Sequence, residues 1–147
     1  MLDIDSAYAN LARLSTAHLG RTAPNPNVSA AIYSSAGELI SEGAHHPESA
    51  PDHAEVVALK KAGQAARGGT MVISLEPCNH TGKTAPCVDA IINAGISKVI
   101  YAVKDPNPIA AGGAERLSSA GISVEFIADQ RLHDIQGAWL HRITTGR

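Results

Sequence analysis

Two stretches carry most of the chemistry of this chain: His53-Ala54-Glu55 and Pro77-Cys78-Asn79-His80-Thr81-Gly82-Lys83-Thr84-Ala85-Pro86-Cys87. Together they contain an imidazole, two thiols and a carboxylate that could act in one place. Three such protein ligands can hold a zinc ion and leave one position for water, whose pKa the metal lowers towards neutrality. The stretches therefore predict a catalytic zinc site, one ion per chain, with His53, Cys78 and Cys87 as ligands and Glu55 as the general base.

The same residues also have structural interpretations. Asp52-x-x-Glu55 is a capping box, in which Glu55 bonds back to the backbone of Asp52. His53 could be a surface or capping histidine, and a free cysteine is most often a small buried apolar residue. A structural zinc closed by His80 as fourth ligand is a further alternative. The co-occurrence of His-x-Glu before a strand and Pro-Cys directly after it favours the catalytic site.

Composition limits the class of protein. A chain of 147 residues predicts one domain with its own core, and a formal charge of −2 argues against a broad nucleic-acid-binding face. The N-terminus is acidic without a secretory pattern, and no apolar run is long enough to span a membrane. We therefore expect a cytoplasmic protein that binds neither nucleic acid nor membrane. Cys78 and Cys87 should then be reduced, the alternative being a disulfide between them.

Hydrophobic periodicity predicts alternating helices and strands. The predicted helices cover residues 3–19, 53–66, 87–94, 113–120 and 132–143, and the predicted strands cover 28–33, 38–43, 71–75, 98–103 and 122–127. The helix over 53–66 should turn Val56, Val57, Leu59 and Ala62 towards the core. A helix, a hairpin and three helix–strand units favour a three-layer α/β/α sandwich with a central mixed sheet of about five strands.

Both stretches fall where strands end and helices begin, which is where sites lie in such sheets. His53 and Glu55 begin one predicted helix, and Cys87 begins another. The partial positive charge of a helix N-terminus favours carboxylate and thiolate forms. The positions of these residues therefore agree with their proposed chemistry.

Several motifs resemble those of one known enzyme family. They are Pro24-Asn25-Pro26, Gly43-Ala44-His45, His53-Ala54-Glu55-Val56, Leu75-Glu76-Pro77-Cys78 continuing to Cys87, Asp105-Pro106-Asn107-Pro108, and Ala120-Gly121-Ile122. The chain resembles the deaminase domain of the bacterial riboflavin-pathway enzyme that deaminates diaminohydroxyphosphoribosylamino-pyrimidine. Eight residues separate the two cysteines, whereas other zinc nucleobase deaminases have Cys-x-x-Cys. This long loop is the most specific part of the resemblance.

The resemblance implies a cytidine deaminase-like fold and a role for each matched residue. His53, Cys78 and Cys87 would bind zinc, and Glu55 would transfer protons. The positions where the family contacts the pyrimidine and ribose phosphate are Asn25, His45, His80, Lys83, Asp105 and Asn107. Amides and carboxylates can read the polar edges of a ring, while lysine and histidine can hold a phosphate. Residues beside proline, such as Asp105 and Asn107, are also good turn formers.

The activity that the resemblance implies is hydrolytic deamination of a 2,5-diamino-6-ribosylamino-4-pyrimidinone 5′-phosphate-type substrate in riboflavin biosynthesis, with release of ammonia. Two departures keep open a deaminase of another small nucleobase or nucleotide. Asn27-Val28-Ser29 stands where the family has a bulky apolar residue, Val and Gly. Gly112-Gly113 also lacks the family's basic residue.

We expect residues 1–147 to form a single zinc-dependent deaminase domain without the reductase domain into which the family normally continues. A separate reductase is therefore a candidate partner, and a third hypothesis is a non-catalytic, zinc-stabilised subunit of that reductase. Trp139 on an apolar helical stripe favours a homodimer.

Overall fold

The structure is a computed structural model, and it describes residues 2–16, 28–44, 54–76, 87–104 and 113–134. Its helices are α1 (Ile4–Thr16), α2 (Ala54–Ala62), α3 (Cys87–Ala94) and α4 (Gly113–Ser119), with a 3₁₀ turn at Gly63–Ala66. Its strands are β1 (Ser29–Tyr33), β2 (Leu39–Ala44), β3 (Thr70–Ile73), β4 (Lys98–Tyr101) and β5 (Ser123–Phe126). Residues 130–134 are also helical.

The five strands form one mixed sheet in the order β2-β1-β3-β4-β5. Strand β1 pairs antiparallel with β2 and with β3, while β3, β4 and β5 are parallel. The hairpin between β1 and β2 turns at Gly37, whose φ of 90° is accessible to glycine at little strain. The predicted mixed sheet of five strands is confirmed.

Side chains alternate between the two faces of the sheet, and helices cover both faces. Ala30 and Ile32 of β1 pack in a cluster with buried residues of α2, α3 and α4. Ala31 and Tyr33 pack in a second cluster with α1 and with Leu132. The predicted three-layer α/β/α sandwich is therefore confirmed.

The prediction for the helix over 53–66 is confirmed in part, because Leu59 and Ala62 pack against the core. The helix ends at Ala62, and its buried residues are Ala54, Glu55 and Ala58. Val56 and Val57 are only half-buried. Small side chains let the helix lie close to the sheet, so geometry rather than hydrophobicity selects its inner face.

The last predicted helix begins two residues early because Asp129 caps it. The Asp129 carboxylate accepts a hydrogen bond from the backbone N–H of Leu132 at 3.1 Å, and residues 130–134 are helical. The remainder of this predicted helix, with Trp139, lies outside the described residues.

The start of that helix is joined to α1 by polar contacts. Arg131 Nη2 lies 2.8 Å from Asp129 Oδ2 and 2.9 Å from Asp5 Oδ1. The Tyr8 hydroxyl donates to the backbone carbonyl of Ile127 at 2.7 Å, and burial, with smaller contributions from Asp129 and Glu125, raises the pKa of Tyr8. These contacts hold the layer opposite α2 against the sheet.

Replacing Asp129 should show how much this contact stabilises the fold. The pKa of Asp129 lies below its ordinary value of 3.8, first because Arg131 donates a side-chain hydrogen bond to it. Such a carboxyl contributes stability above its unfolded pKa and loses that contribution as pH falls through its folded pKa. Asp129→Asn keeps a capping oxygen, so we expect a loss of about 1 kcal/mol or less at neutral pH, given the exposed guanidinium.

Urea unfolding between neutral and strongly acidic pH measures the difference in free energy of unfolding between Asp129→Asn and the unmodified chain. This difference should vanish below the folded pKa of Asp129. Asp134→Asn, at an exposed position of the same helical segment, is the control. If the difference in free energy of unfolding stayed constant with pH, the ion pair of Asp129 would not contribute to stability.

Candidate active site

One edge of the sheet gathers the ends of all five strands. A single row of paired residues crosses the sheet near this edge, and it consists of Gly43, Ala30, Ile73, Tyr101 and Phe126. Strands β2, β3, β4 and β5 end here, and β1 begins here because it runs in the opposite direction. We call this the carboxyl edge of the sheet.

Described residues next to the predicted site segments lie at the carboxyl edge. They are Ser29 at the start of β1, Ala44 at the end of β2, Glu76 after β3 and Lys104 after β4. The adjoining segments of sequence carry Asn25, His45, Cys78 and Asp105, respectively. The topology thus leads segments that are distant in sequence to one side of the molecule.

Glu55 is the predicted site residue whose side chain the structure describes. It lies in the first turn of α2, and only 3% of its surface is exposed. Burying a carboxylate is unfavourable unless its surroundings stabilise the charge, and the N-terminal end of a helix provides such an environment. The predicted position of Glu55 at a helix start is confirmed, and its burial adds a protected environment.

The other predicted site residues remain predictions. Cys87 is the first residue of α3, but its side chain is not described. The residues that lie outside the described part of the chain are His53, Cys78, Asn25, His45, His80, Lys83, Asp105 and Asn107. Within the described part, no three His, Cys, Asp or Glu side chains come together as a metal site.

The first turns of α2 lie directly against β2 at Gly43. A Cβ atom added to Gly43 would be 2.6 Å from the carbonyl oxygen of Ala54 and 2.8 Å from the amide nitrogen of Ala58. Both atoms belong to the backbone, so no side-chain rotation could relieve the contact. Ser41 of the same strand donates a hydrogen bond to the carbonyl of Ala58 at 2.8 Å. Strand β2 therefore sets the height of Glu55 above the sheet.

The start of α3 lies at the same edge as the start of α2, since β2 and β3 both end there. The two helices also pack side by side. His53 immediately precedes α2 and Cys87 begins α3, so the backbone brings the attachment points of these two candidate ligands to neighbouring helix ends. This arrangement is compatible with a shared metal ion.

Tyr101 is a residue at this edge that sequence reasoning did not select. Its ring centroid lies 5.2 Å from that of Phe126, and Lys104 Nζ is 5.0 Å from the Phe126 centroid. Burial raises the pKa of the Tyr101 hydroxyl, and the negative charge of Glu76 adds to the effect. A tyrosine at the end of a strand paired with β3, the strand that precedes the Pro-Cys motif in the sequence, is the signal that could have identified it.

Residues 3–103 match the family model of the cytidine and deoxycytidylate deaminase zinc-binding region. The chain belongs to the cytidine and deoxycytidylate deaminase family. This result confirms the resemblance inferred from the motifs, and it includes both stretches that carry the candidate zinc ligands and Glu55.

Members of this family that are similar to the chain include riboflavin biosynthesis proteins. Identity to the RibD protein of Mycobacterium tuberculosis is 48% over 129 residues, which cover 86% of this chain and 38% of that protein. Identity to RibD of Escherichia coli strain K12 is 44% over 137 residues, covering 90% and 37%. The chain thus spans less than two fifths of the length of either relative.

A solved structure supports the same assignment to the deaminase family. The diaminohydroxyphosphoribosylaminopyrimidine deaminase/5-amino-6-(5-phosphoribosylamino)uracil reductase of Thermotoga maritima superposes with a TM-score of 0.88 at 35% identity. The match covers 95% of this chain and 41% of that protein. The predicted cytidine deaminase-like fold is confirmed. None of the described helices has the length and apolar character of a membrane span.

Gly43→Ala should displace the first turn of α2, because the added methyl group meets two backbone atoms of that helix. We expect a loss of about 1–3 kcal/mol in the free energy of unfolding, typical of overpacking. Amide hydrogen exchange in the N-terminal half of α2 should also become faster. Chemical unfolding and hydrogen-exchange mass spectrometry measure the two effects.

Gly69→Ala is the matched control, because its Cβ would lie 2.6 Å from the carbonyl oxygen of Tyr33, at the opposite edge of the sheet. It should destabilise the chain comparably and leave exchange in the first turn of α2 unchanged. Equal acceleration of exchange in α2 by both variants would contradict the specific role of Gly43.

Proposed function

We propose that this chain catalyses the zinc-dependent hydrolytic deamination of a 2,5-diamino-6-ribosylamino-4-pyrimidinone 5′-phosphate-type substrate in riboflavin biosynthesis. The observation that carries the proposal is the buried carboxylate of Glu55 at the carboxyl edge, within a deaminase family. The choice of substrate is supported by the 48% identity to a riboflavin biosynthesis protein.

The residues that would hold one zinc ion are His53, Cys78 and Cys87. An imidazole and two thiolates are ligands that zinc prefers, and the two thiolates balance its charge. The adjacent N-termini of α2 and α3 favour ionised groups near them. When bound, the zinc supplies a water molecule whose pKa is near neutrality and which is available to attack the substrate.

Glu55 would then move protons between water and substrate. Its carboxylate takes a proton from the attacking water as the new C–O bond forms at the amine-bearing ring carbon. It delivers that proton to the ring nitrogen, and proton transfer to the amine allows the C–N bond to break with release of ammonia. Water is consumed and a ring carbonyl is formed. Burial of Glu55 keeps bulk solvent away from this transfer.

Substrate binding would involve two groups of residues in the segments that adjoin the carboxyl edge. Amide and carboxylate groups suited to the pyrimidine ring are supplied by Asn25, Asp105 and Asn107. Positively charged or imidazole groups suited to the ribose phosphate are supplied by Lys83 together with His45 or His80. The support for this assignment is the position of the flanking described residues along one edge of the sheet.

Ammonia release on incubation with the riboflavin-pathway pyrimidine tests the proposal directly. Removal of metal with a chelator should abolish the release, and added zinc should restore it. Cytidine, deoxycytidylate and other aminopyrimidines form the comparison panel, because Asn27 is a departure from the riboflavin-pathway pattern. If the chain turned over only another member of that panel, the proposed substrate would be wrong. That result would favour a deaminase of another small nucleobase or nucleotide.

Glu55→Gln should retain zinc and lose about 10²–10⁴-fold in kcat, because it keeps the shape of the side chain but cannot accept the proton. Cys78→Ser should lose the metal as well. Metal analysis and steady-state kinetics separate the two effects. Glu115→Gln is the control, since Glu115 is an exposed acidic residue in the first turn of α4. Unchanged turnover in Glu55→Gln would exclude Glu55 as the base.

Assembly and domain organisation also remain proposals. We propose a single deaminase domain that forms a homodimer in the cytoplasm and works with a reductase activity, as in the bifunctional Thermotoga maritima protein. Failure of the zinc-loaded chain to deaminate any pyrimidine, combined with binding to a reductase, would instead favour the non-catalytic subunit.

A further inference from the structure

Three serine hydroxyls form a buried cluster at the carboxyl edge of the sheet. Ser15, Ser29 and Ser74 are 1%, 0% and 0% exposed. The Ser29 hydroxyl donates to the carbonyl of Leu11 at 2.8 Å and lies 2.8 Å from the Ser15 hydroxyl. Since a hydroxyl has one proton to donate, Ser15 is the donor to Ser29. Helix α1 is thereby attached to the first residue of β1.

Ser29 and Ser74 are also joined, in a way that departs from regular strand pairing. The backbone N–H of Ser74 donates to the carbonyl of Ser29 at 3.0 Å, as in an antiparallel ladder. The backbone N–H of Ser29, however, donates to the side-chain oxygen of Ser74, also at 3.0 Å. In a regular pair the second acceptor would be the backbone carbonyl of Ser74. The hydroxyl takes the place of that carbonyl.

This substitution allows the main chain to leave β1 immediately after Ser74. The hydrogen bonding to the β4 side, which β3 makes along its whole length, continues past this point. The backbone N–H of Ala102 donates to the carbonyl of Ile73 at 3.2 Å, and the N–H of Glu76 donates to the carbonyl of Val103 at 2.8 Å. Ser74 is therefore the position at which the ladder with β1 ends while hydrogen bonding to the β4 side continues.

The end of the pairing with β1 lies close in sequence to the proposed zinc-binding segment. Cys78 follows Ser74 by four residues, so the chain can carry it at most about 14 Å from Ser74. A side chain without a hydroxyl would leave the buried N–H of Ser29 without its acceptor, which is unfavourable. The chain could recover the bond only by turning the carbonyl of residue 74 towards β1, which would redirect the residues leading to Cys78.

We propose that Ser74 is a positioning residue for the zinc site, because its hydroxyl replaces its carbonyl in the strand ladder and so directs Leu75 and Glu76, which lead to Cys78, away from β1. This inference rests on the proposed function, since it concerns the same metal site. Ser74 is not proposed to touch zinc or substrate. Its effect reaches the metal through the path of the main chain.

The test compares zinc affinity, measured by competition with a chromogenic chelator, for Ser74→Thr and Ser74→Val. These variants have the same shape, and only threonine keeps the hydroxyl. We expect Ser74→Val to bind zinc about 10- to 100-fold more weakly than Ser74→Thr, the range seen when a supporting partner of a metal ligand is lost. Ser74→Ala should resemble Ser74→Val, and the Tm of each metal-free protein is recorded in parallel.

Ser97→Ala is the control for loss of a serine hydrogen bond elsewhere. The Ser97 hydroxyl lies 3.0 Å from the carbonyl oxygen of Gly68 and 3.1 Å from that of Gly69, at the opposite edge of the sheet, and shares its one proton between them. This variant should change the Tm without changing zinc affinity. Equal zinc affinity in Ser74→Thr and Ser74→Val would overturn the inference alone. An unmodified chain that binds no zinc would overturn the proposed function together with the inference.

Discussion

The contact between the backbone of Gly43 and the first turns of α2 is the constraint on which the site depends. It lets the backbone of α2 lie against the backbone of β2, because a Cβ atom at Gly43 would be only 2.6 Å from the Ala54 carbonyl oxygen. Glu55 is carried by that turn, so its carboxylate is buried where the strands end. A bulkier pair of surfaces would move the helix outward by the thickness of a side chain and expose the carboxylate to water.

The direction of β1 is equally important for bringing the site together. Because β1 is antiparallel to β2 and β3, its beginning and their ends lie at the same edge. The start of β1 and the ends of β2, β3 and β4, to which the predicted site segments are attached, therefore lie at one edge. Buried serines connect the chain where β1 meets the end of β3. There the Ser74 hydroxyl accepts the hydrogen bond from the Ser29 N–H, and the Ser29 hydroxyl bonds to the carbonyl of Leu11 in α1.

Much of this fold was predictable from local sequence patterns. The helix over residues 87–94 was predicted with the bounds that the structure shows, because Val88 and Ile91 recur at helical spacing and Gly95 ends it with a φ of 79°. The inner face of α2 was not predictable in the same way. The pattern selected Leu59 and Ala62, which do pack against the core, but it missed Ala54 and Ala58, which are buried beside Gly43. A hydrophobic pattern predicts a helix, but it does not predict how closely that helix packs against the sheet.

The sequence by itself determined the chemical inventory: a histidine, two cysteines and a glutamate in motifs whose spacing indicates zinc-dependent deamination, and alternating elements that indicate a layered sheet. Local patterns suffice there because side-chain chemistry and periodicity are properties of short segments. Only the tertiary structure decided that Glu55 is buried, that Gly43 is a backbone contact and that Ser74 bonds to Ser29 across 45 residues. These features depend on which strands become neighbours, and no single segment contains that information.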